Sequence, residues 1–380
     1  MIPFMLALFA CPDDAEPADA VAGVDSAAAD SGDTASVDTG DSSAGETGES
    51  VDSGDTAGSA DSADTADSGE VEELTCLERL ALGNGFPDTP DYFSVGATIN
   101  TGCTGTDHQE IEGVERVVFL GDSVTVGTPP NTVESFYRNQ VTAWAVAKWG
   151  LDAPEYLWGW YDVLNGTGYE MESGDFAVCA KYGGRTDDLV QDNDQVIDCI
   201  PEDKAGLTTL VVMTVGGNDL FSLADDYYEG IPDETLIAST EEEMQNLRDA
   251  VTWITTDKAR FPGQMYVVFA NLYEFTDGEG DVDACPGADF VGYHYDLANP
   301  SIEERIAWMQ EEMLRIAVDT NTDMIFLGET FCGHGYNRAD ASNVCYRGPD
   351  TELYFDESCF HPNDAGHTAL AGLFETTIEE

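Results

Sequence analysis

The chain has 380 residues, of which 42% are hydrophobic, and it carries 75 acidic residues against 14 lysines and arginines, a formal net charge of -61. Such an acidic surface repels nucleic acid phosphates and anionic lipid headgroups, so neither is expected as a partner. No run of about 20 apolar residues occurs, so no membrane-spanning helix is expected. The excess of acid is typical of a high-salt habitat, because salt screens the self-repulsion.

The N-terminal part of the chain predicts export followed by a flexible tether. Residues 1–10 are mostly apolar and precede Cys11, and the letters LFAC at 8–11 resemble the lipobox of bacterial lipoproteins. An incidental apolar N-terminus is the alternative. Residues 12–75 contain no aromatic residue, Lys or Arg, and cannot bury enough apolar surface to fold. We therefore expect an export signal with a lipidated Cys11, a disordered tether over 12–75, and a folded domain over 76–380 that is secreted or held at the cell surface or outer membrane.

Eight cysteines remain if Cys11 carries lipid, and they are Cys76, Cys103, Cys179, Cys199, Cys285, Cys332, Cys345 and Cys359. An even number suits disulfides in an oxidising compartment, although about 105 pairings are possible. Buried free thiols of a cytosolic protein are the alternative. No CxxC pair occurs, so a zinc site is not expected. The acidic loop at 277–283 lacks EF-hand spacing and is interpreted as a solvated loop rather than a calcium site.

The stretch at 116–127, RVVFLGDSVTVG, predicts a buried strand that ends in a sharp turn. Residues 117–120 form an apolar run of strand length, and Gly121 ends it. A serine at such an edge can project its hydroxyl over the sheet. Ser123 is therefore the first candidate for a catalytic nucleophile.

Helices and strands alternate after this turn. A helix is expected over 133–149, and strands are expected at 175–180, 207–215, 264–270 and 323–327. Capping boxes, formed by Thr240 with Glu243 and by Ser301 with Glu304, predict two helix starts. The last helix is expected to begin at Pro362.

Five apolar strands with helices between them predict a parallel, doubly wound α/β sheet that is covered on both faces. Binding and catalytic sites of such sheets lie beyond the carboxyl ends of the strands. GDS follows the first strand, KYGG the second and GGND the third, and a histidine-bearing segment at 355–367 follows the fifth. We therefore expect these motifs to meet at one edge of the sheet.

The ordered set GDSVTVG, a glycine after the second strand, GGND and HPNDAGH resembles the four sequence blocks of the SGNH (GDSL) hydrolase family, over most of residues 116–373. The resemblance implies a flavodoxin-like fold and the hydrolysis of carboxylic esters, sometimes thioesters or amides, with no cofactor. It also implies that Ser123 is the nucleophile and His361 the general base. The backbone N–H groups of Ser123 and Gly183 and the side chain of Asn218 would form the oxyanion hole.

The residues themselves leave simpler roles open. Gly183 could be a turn glycine, and Asn218 could cap the helix after the third strand. Asp122 is expected to hold the turn rather than to react. His367 lies beyond His361 on the last helix and is expected to pack.

One position departs from the family pattern, which has an aspartate three residues before the histidine. Ser358 occupies that position here, and Asp356 lies five residues before His361. The backbone carbonyl of Ser358 could orient the ring in a Ser-His dyad, Asp356 could reach the ring through an altered loop, or another carboxylate could serve. Asp356 is the candidate that we take for the third catalytic residue.

Together these motifs predict a monomeric serine esterase or lipase that acts on a small-molecule, lipid or glycan ester through an acyl-Ser123 intermediate, and that contacts a membrane only through its anchor. A carbohydrate O-deacetylase of the same mechanism and a non-catalytic surface binding protein on the same scaffold are the alternatives. The aromatic stretch at 154–163 could line an acyl pocket or a sugar platform, but core packing is favoured.

Overall fold

The computed structural model describes residues 103–380 except 192, 289–298 and 344, and its elements are named here in chain order. The strands are β1 (Arg116–Gly121), β2 (Tyr161–Asp162), β3 (Thr167–Gly168), β4 (Glu172–Ser173), β5 (Phe176–Val178), β6 (Thr209–Thr214), β7 (Met265–Ala270) and β8 (Asp323–Ile325). The helices are α1 (Ser123–Val126), α2 (Tyr137–Trp149), α3 (Asp194–Cys199), α4 (Gly217–Tyr228), α5 (Asp233–Thr256), α6 (Pro300–Thr320), α7 (Leu327–Phe331) and α8 (Asp364–Glu379). The predicted export signal, Cys11, the tether and Cys76 lie outside the described residues.

The main sheet has the strand order β4-β5-β1-β6-β7-β8, and the five strands from β5 to β8 run parallel. This is the flavodoxin-like order, and it confirms the predicted doubly wound α/β fold. The predicted number of five strands is too small by one, because β4 adds an antiparallel edge strand beside β5. Two polar residues, Glu172 and Ser173, give no apolar run that would reveal such a strand. No helix among the described residues has the length and apolarity to cross a membrane.

The parallel strands are buried on both faces, because successive side chains point to opposite layers. Phe119 of β1 packs into the layer that contains α2 and α8, and Leu120 packs into the layer that contains α5 and α6. All six residues of β1 and all six of β6 are buried. This double burial explains the continuous apolar runs at 117–120 of β1 and 210–213 of β6.

Both predicted capping boxes are wrong, since each helix begins before the expected cap. Thr240 and Glu243 lie inside α5, where the Thr240 hydroxyl donates to the carbonyl of Leu236. Asn299 caps α6 by accepting a hydrogen bond from the N–H of Ser301. A threonine or serine followed three residues later by glutamate is common within acidic helices, so this spacing did not locate the caps.

The starts of two other helices also differ from the prediction. The expected helix at 133–149 is a short 3-10 turn, Val133–Ser135, followed by α2. The last helix begins at Asp364, two residues after Pro362, and Asn363 caps it by accepting from the N–H of Gly366. Pro362 instead pairs with Phe355 in an isolated antiparallel bridge.

All seven cysteines in the described part of the chain are disulfide-bonded, as expected from their number. The pairs Cys179–Cys199, Cys285–Cys359 and Cys332–Cys345 are found there, and Cys103 is disulfide-bonded as well. The Cys285–Cys359 bond ties the long loop after β7 to the segment that precedes His361.

The acidic loop at 277–283 is not fully solvated, which corrects the expectation for its first residue. Asp277 is completely buried, and its Oδ1 accepts from the N–H groups of Gly333, at 2.8 Å, and Gly335, at 2.7 Å. This carboxylate therefore holds two loops together. Among the described residues, no three histidine, cysteine or acidic side chains are grouped as metal ligands would be.

Candidate active site

Ser123 is the first residue of α1, directly beyond the carboxyl end of the central strand β1. Gly121 ends the strand with a φ of 113°, and a Cβ there would lie 1.8 Å from the carbonyl oxygen of Thr214. Only glycine fits this close approach of two strands. The turn therefore brings Ser123 to the edge of the sheet, as the sequence predicts.

Asp122 is buried beneath this turn. Its Oδ1 accepts hydrogen bonds from the backbone N–H of Val124, at 3.0 Å, and from the hydroxyl of Thr214, at 2.8 Å. Burial raises the pKa of Asp122 to about 7, against the lowering effect of these hydrogen bonds. The contacts agree with the expected role of Asp122, which is to hold the turn.

His361 lies against Ser123, and the two residues are 238 positions apart in the chain. Its Nε2 is 2.8 Å from the Ser123 Oγ, and the residue is only 2% exposed. Burial, together with the nearby His367, lowers the pKa of His361 to about 3. The ring is therefore neutral at pH 7, and Nε2 can accept the hydrogen of the serine hydroxyl.

A tight turn presents His361 to the serine. The backbone N–H of Asp356 donates to the carbonyl of His361, at 2.9 Å, and that of Cys359 donates to the carbonyl of Asp356, at 3.1 Å. The bridge between Phe355 and Pro362 closes the base of the turn. These backbone contacts fix the direction in which the ring points.

The sequence suggests two partners from this turn for the His361 Nδ1, the carbonyl of Ser358 and the carboxylate of Asp356. The structure shows a different one. Nδ1 lies 3.1 Å from the side-chain Oγ of Ser358, so a hydroxyl, and not the carbonyl of Ser358, is the partner found there. The carboxylate of Asp356 does not replace it at the ring. Instead, Asp356 Oδ1 accepts from the Ser358 hydroxyl, at 2.5 Å, and from the Ser358 N–H, at 2.8 Å.

The candidates for the oxyanion hole come from three segments at the same edge of the sheet, which are the start of α1, the loop after β5 and the start of α4. Gly183 follows β5 with a φ of 72°, and its N–H makes no hydrogen bond within the described residues. The Asn218 Nδ2 donates to the carbonyl of Gly184, at 2.8 Å. A Cβ on Gly184 would lie 2.4 Å from the carbonyl oxygen of Gly121, so this loop packs directly on the end of β1. The Ser123 N–H lies at a helix start, where no intrahelical carbonyl reaches it.

Sequence reasoning missed a network of polar and charged side chains behind these donors. Arg185 lies 3.1 Å from Glu243 on α5 and 3.6 Å from Asp219 on α4, measured between the guanidinium nitrogens and carboxylate oxygens. Asp219 also accepts from the hydroxyl of Thr186, at 2.9 Å. The network joins the Gly183 loop to the helix that carries Asn218. Its members lie on three distant segments, so no local pattern in the sequence indicates it.

Several buried carboxyl groups predict a pH dependence of stability. Burial raises the pKa of Glu243 to about 8 and the pKa values of Asp122 and Glu329 to about 7. A group whose folded-state pKa is raised stabilises the fold while it is protonated, and that stability is lost as the pH rises through the folded pKa. We therefore expect the free energy of unfolding, measured in urea, to fall as the pH rises from about 4.5, the ordinary pKa of a glutamic acid, to about 8, the raised pKa of Glu243.

The contribution of Glu243 can be isolated by substitution. Glu243→Gln should make this pH profile less steep between about pH 4.5 and 8, because the amide does not ionise. Glu242→Gln, at the exposed neighbouring position, is the control and should leave the profile unchanged. A profile for Glu243→Gln that matches the wild type would contradict the raised pKa.

The remaining histidines do not join Ser123 in the described part of the chain. His367 is completely buried, its Nδ1 accepts from the N–H of Tyr137 at 3.3 Å, and its ring stacks on that tyrosine. These contacts agree with the expected packing role. His108 bonds to the carbonyl of Thr322, and His294 lies outside the described residues.

The aromatic stretch at 154–163 divides into buried and exposed side chains. Trp158 is 1% exposed and lies under the guanidinium of Arg138, 4.6 Å from it, as core packing predicts. Tyr156 and Trp160 are 71% and 36% exposed, so the favoured interpretation is wrong for these two. The hairpin formed by β2 and β3 lies next to the Gly183 loop, because the N–H of Tyr182 donates to the carbonyl of Gly166 at 2.6 Å.

Comparison with known proteins found similar solved structures, while no family model and no curated protein matches the chain. A lipase from a goat rumen metagenome is 15% identical with a TM-score of 0.46, over 70% of this chain and 97% of the other. Phospholipase A1 from Streptomyces albidoflavus is 16% identical with a TM-score of 0.39, over 70% and 100% of the two chains. The acetyl xylan esterase AlAXEase is 15% identical with a TM-score of 0.40, over 69% and 99%.

Other similar solved structures carry the GDSL name itself. Because the identities are low, the function is inferred from the contacts of Ser123 and His361.

Proposed function

We propose that this protein is a serine esterase that cleaves carboxylic esters through an acyl-Ser123 intermediate. The observation that carries the proposal is the 2.8 Å contact between the Ser123 Oγ and the His361 Nε2. A serine hydroxyl is a weak nucleophile until a base takes its proton, and a neutral imidazole at hydrogen-bond distance is such a base. The pair lies at the carboxyl edge of a parallel sheet, where substrates of such folds bind.

The proposed reaction has two halves. In the first, the Ser123 Oγ attacks the ester carbonyl carbon while its proton passes to the His361 Nε2. The resulting imidazolium then gives that proton to the leaving alcohol, and the acyl group stays on Ser123. In the second half, water attacks the acyl group with His361 again as base, which releases the acid and restores the serine.

The negative charge that develops on the carbonyl oxygen requires hydrogen-bond donors. We assign this role to the N–H groups of Ser123 and Gly183 and to the Asn218 side chain. The support is that the Asn218 Nδ2 carries two hydrogens, of which one is used by the Gly184 carbonyl, and that the Gly183 N–H has no partner in the described residues.

Removal of the Asn218 amide should therefore affect the reaction step. We expect Asn218→Ala to lower kcat by about 10²- to 10³-fold, which corresponds to about 3 kcal/mol of transition-state stabilisation. KM should change little, because the donor acts mainly on the developing oxyanion. Steady-state kinetics on a p-nitrophenyl ester test this, with Asn165→Ala on the exposed hairpin as a control. A rise in KM at unchanged kcat would place Asn218 in substrate binding instead.

Hydrolysis of p-nitrophenyl esters from acetyl to long acyl chains, by the full chain, tests the proposal. Serine-dependent turnover would support an enzyme, and the preferred chain length would separate a lipase from a carbohydrate O-deacetylase. The exposed Tyr156 and Trp160 beside the hairpin are consistent with a sugar platform, which keeps the deacetylase as the second candidate. Absence of turnover on all chain lengths, in low and high salt, would favour a binding protein on this scaffold.

A further inference from the structure

A continuous line of hydrogen bonds runs from Ser123 through His361 and Ser358 to Asp356. The Ser123 Oγ lies 2.8 Å from the His361 Nε2, and the His361 Nδ1 lies 3.1 Å from the Ser358 Oγ. The Ser358 Oγ in turn lies 2.5 Å from the Asp356 Oδ1. The four side chains form one path that ends at a carboxylate.

The chemistry of the groups fixes the direction of every bond on this path. An ionised carboxylate can only accept, so the single hydroxyl hydrogen of Ser358 is donated to Asp356. The lone pairs of the Ser358 Oγ are then left to accept the N–H of the His361 Nδ1. A hydrogen on Nδ1 means that Nε2 of the neutral ring is the acceptor, and this is the atom that faces Ser123. Ser358 therefore selects the tautomer that a general base needs.

Because this path is buried, the negative charge of Asp356 has a strong influence on the charge of the His361 ring. His361 is 2% exposed and Asp356 is 7% exposed, so water does little to stabilise an imidazolium there. The Asp356 Oδ2 is buried and has no hydrogen-bond partner within the described residues. The negative charge of Asp356 is thus only partly compensated by its neighbours, and it favours a positive charge that forms on the adjacent ring.

We propose that Ser358 is a positioning residue that couples Asp356 to His361, so that a hydroxyl and a carboxylate together orient the ring and stabilise its charged form. This inference rests on the proposed function of Ser123 and His361. One proton moves in the reaction, from the Ser123 Oγ to Nε2 and then to the leaving alcohol. The Nδ1 hydrogen and the Ser358 hydrogen keep their places throughout.

The hydrogen bond between Asp356 and Ser358 does not by itself show that the carboxylate acts on the ring. The same pattern recurs at Asp340 and Ser342, where the Asp340 Oδ1 accepts from the Ser342 N–H at 2.8 Å and from its hydroxyl at 2.6 Å. Ser342 is exposed. The bond by itself is therefore a feature of the turn, and the contact with a buried catalytic ring is what differs at Ser358. Ser342→Ala is accordingly a matched control.

The full chain with a p-nitrophenyl acetate assay provides the test. Ser358→Ala should lower kcat by about 100-fold, at the lower end of what an acid–base group contributes, with little change in KM. Ser358→Thr keeps the hydroxyl and should stay near the wild-type rate, and Ser342→Ala should equal the wild type. The double variant Asp356→Ser with Ser358→Asp moves the carboxylate to the ring and should recover most of the activity lost in Ser358→Ala.

The pH profile separates positioning from simple damage to the turn. The acid limb of kcat/KM reports ionisations of the free enzyme on which the activity depends. Burial raises the pKa of Asp356 to about 6, whereas it lowers that of His361 to about 3, so the coupled carboxylate is the first of the two to lose its charged form as the pH falls through 6. Without Ser358 the activity no longer depends on the charge of Asp356. Ser358→Ala should therefore move the acid limb to lower pH. His367 also acts electrostatically on His361, while Glu357 and Tyr336 interact with Asp356. All three are present in every variant. The shift of the acid limb between the wild type and Ser358→Ala therefore measures the coupling through Ser358.

Two results would overturn the inference. One is a Ser358→Ala enzyme with the wild-type kcat and acid limb. The other is a resting His361 that carries its hydrogen on Nε2, which ¹⁵N NMR of the labelled full chain detects without any turnover. If instead wild-type hydrolysis did not depend on Ser123, the proposed function itself would fail, and the NMR measurement would still decide the tautomer.

Discussion

Ser123→Ala is expected to lower kcat for p-nitrophenyl esters by about 10⁶-fold, the loss seen when a serine hydrolase loses its nucleophile. The substitution removes one oxygen atom from a half-buried side chain at the first position of α1. Alanine is well tolerated in helices, so the fold should persist. Steady-state kinetics, with circular dichroism and Tm measured on the same sample, separate loss of chemistry from loss of structure.

The control for this variant is Ser301→Ala. Ser301 is also close to the start of a helix, but it is exposed and lies on α6. Its replacement should leave kcat unchanged. Turnover by Ser123→Ala at the wild-type rate would refute the acyl-Ser123 mechanism, because no covalent intermediate could then involve this residue.

His361→Ala should cause a loss of similar size, about 10⁶-fold in kcat, since the nucleophile and its base act as a unit. Asp356→Asn should cost far less, because Ser358 remains on the ring and the amide oxygen can still accept its hydroxyl. Kinetics of the two variants under identical conditions test this difference. Equal losses would show that Asp356 is as important for the reaction as His361.

Added imidazole provides the control for His361→Ala. The space left by the ring is lined by Ser123 on one side and by the Ser358 hydroxyl on the other. A small base that enters this space should restore part of the rate, whereas a misfolded variant would not respond. Imidazole should have no such effect on Ser123→Ala, which lacks the nucleophile.

The parts of the fold that the sequence predicts are those with the simplest physical signature. Strands such as β1 and β6 are covered on both faces, so each contains an unbroken apolar run, at 117–120 and 210–213, that is visible without knowledge of the partner. The short edge strand β4 has no such run. Helix starts leave a weaker signal, because α5 begins after Pro232 with no side-chain cap, whereas Asn299 caps α6.

The site shows the same division. Ser123 and His361 follow from motif order, since the carboxyl ends of parallel strands share one edge. The contact of the Ser358 hydroxyl with the ring did not, because the family pattern has a carboxylate at that position. A hydroxyl that lies between the ring and a more distant aspartate is placed by side-chain rotamers, which the order of residues does not reveal.

The sheet order has a consequence for how activity relates to folding. Ser123 follows β1 at the centre of the sheet, and His361 precedes α8, which is made from the last residues of the chain. The contact between them closes a loop of 238 residues that includes β6, β7 and β8, so we expect it to form late in folding. Ester hydrolysis would then report on completion of the whole domain, and recovery of activity after dilution from denaturant would mark the last step of refolding rather than an early collapse.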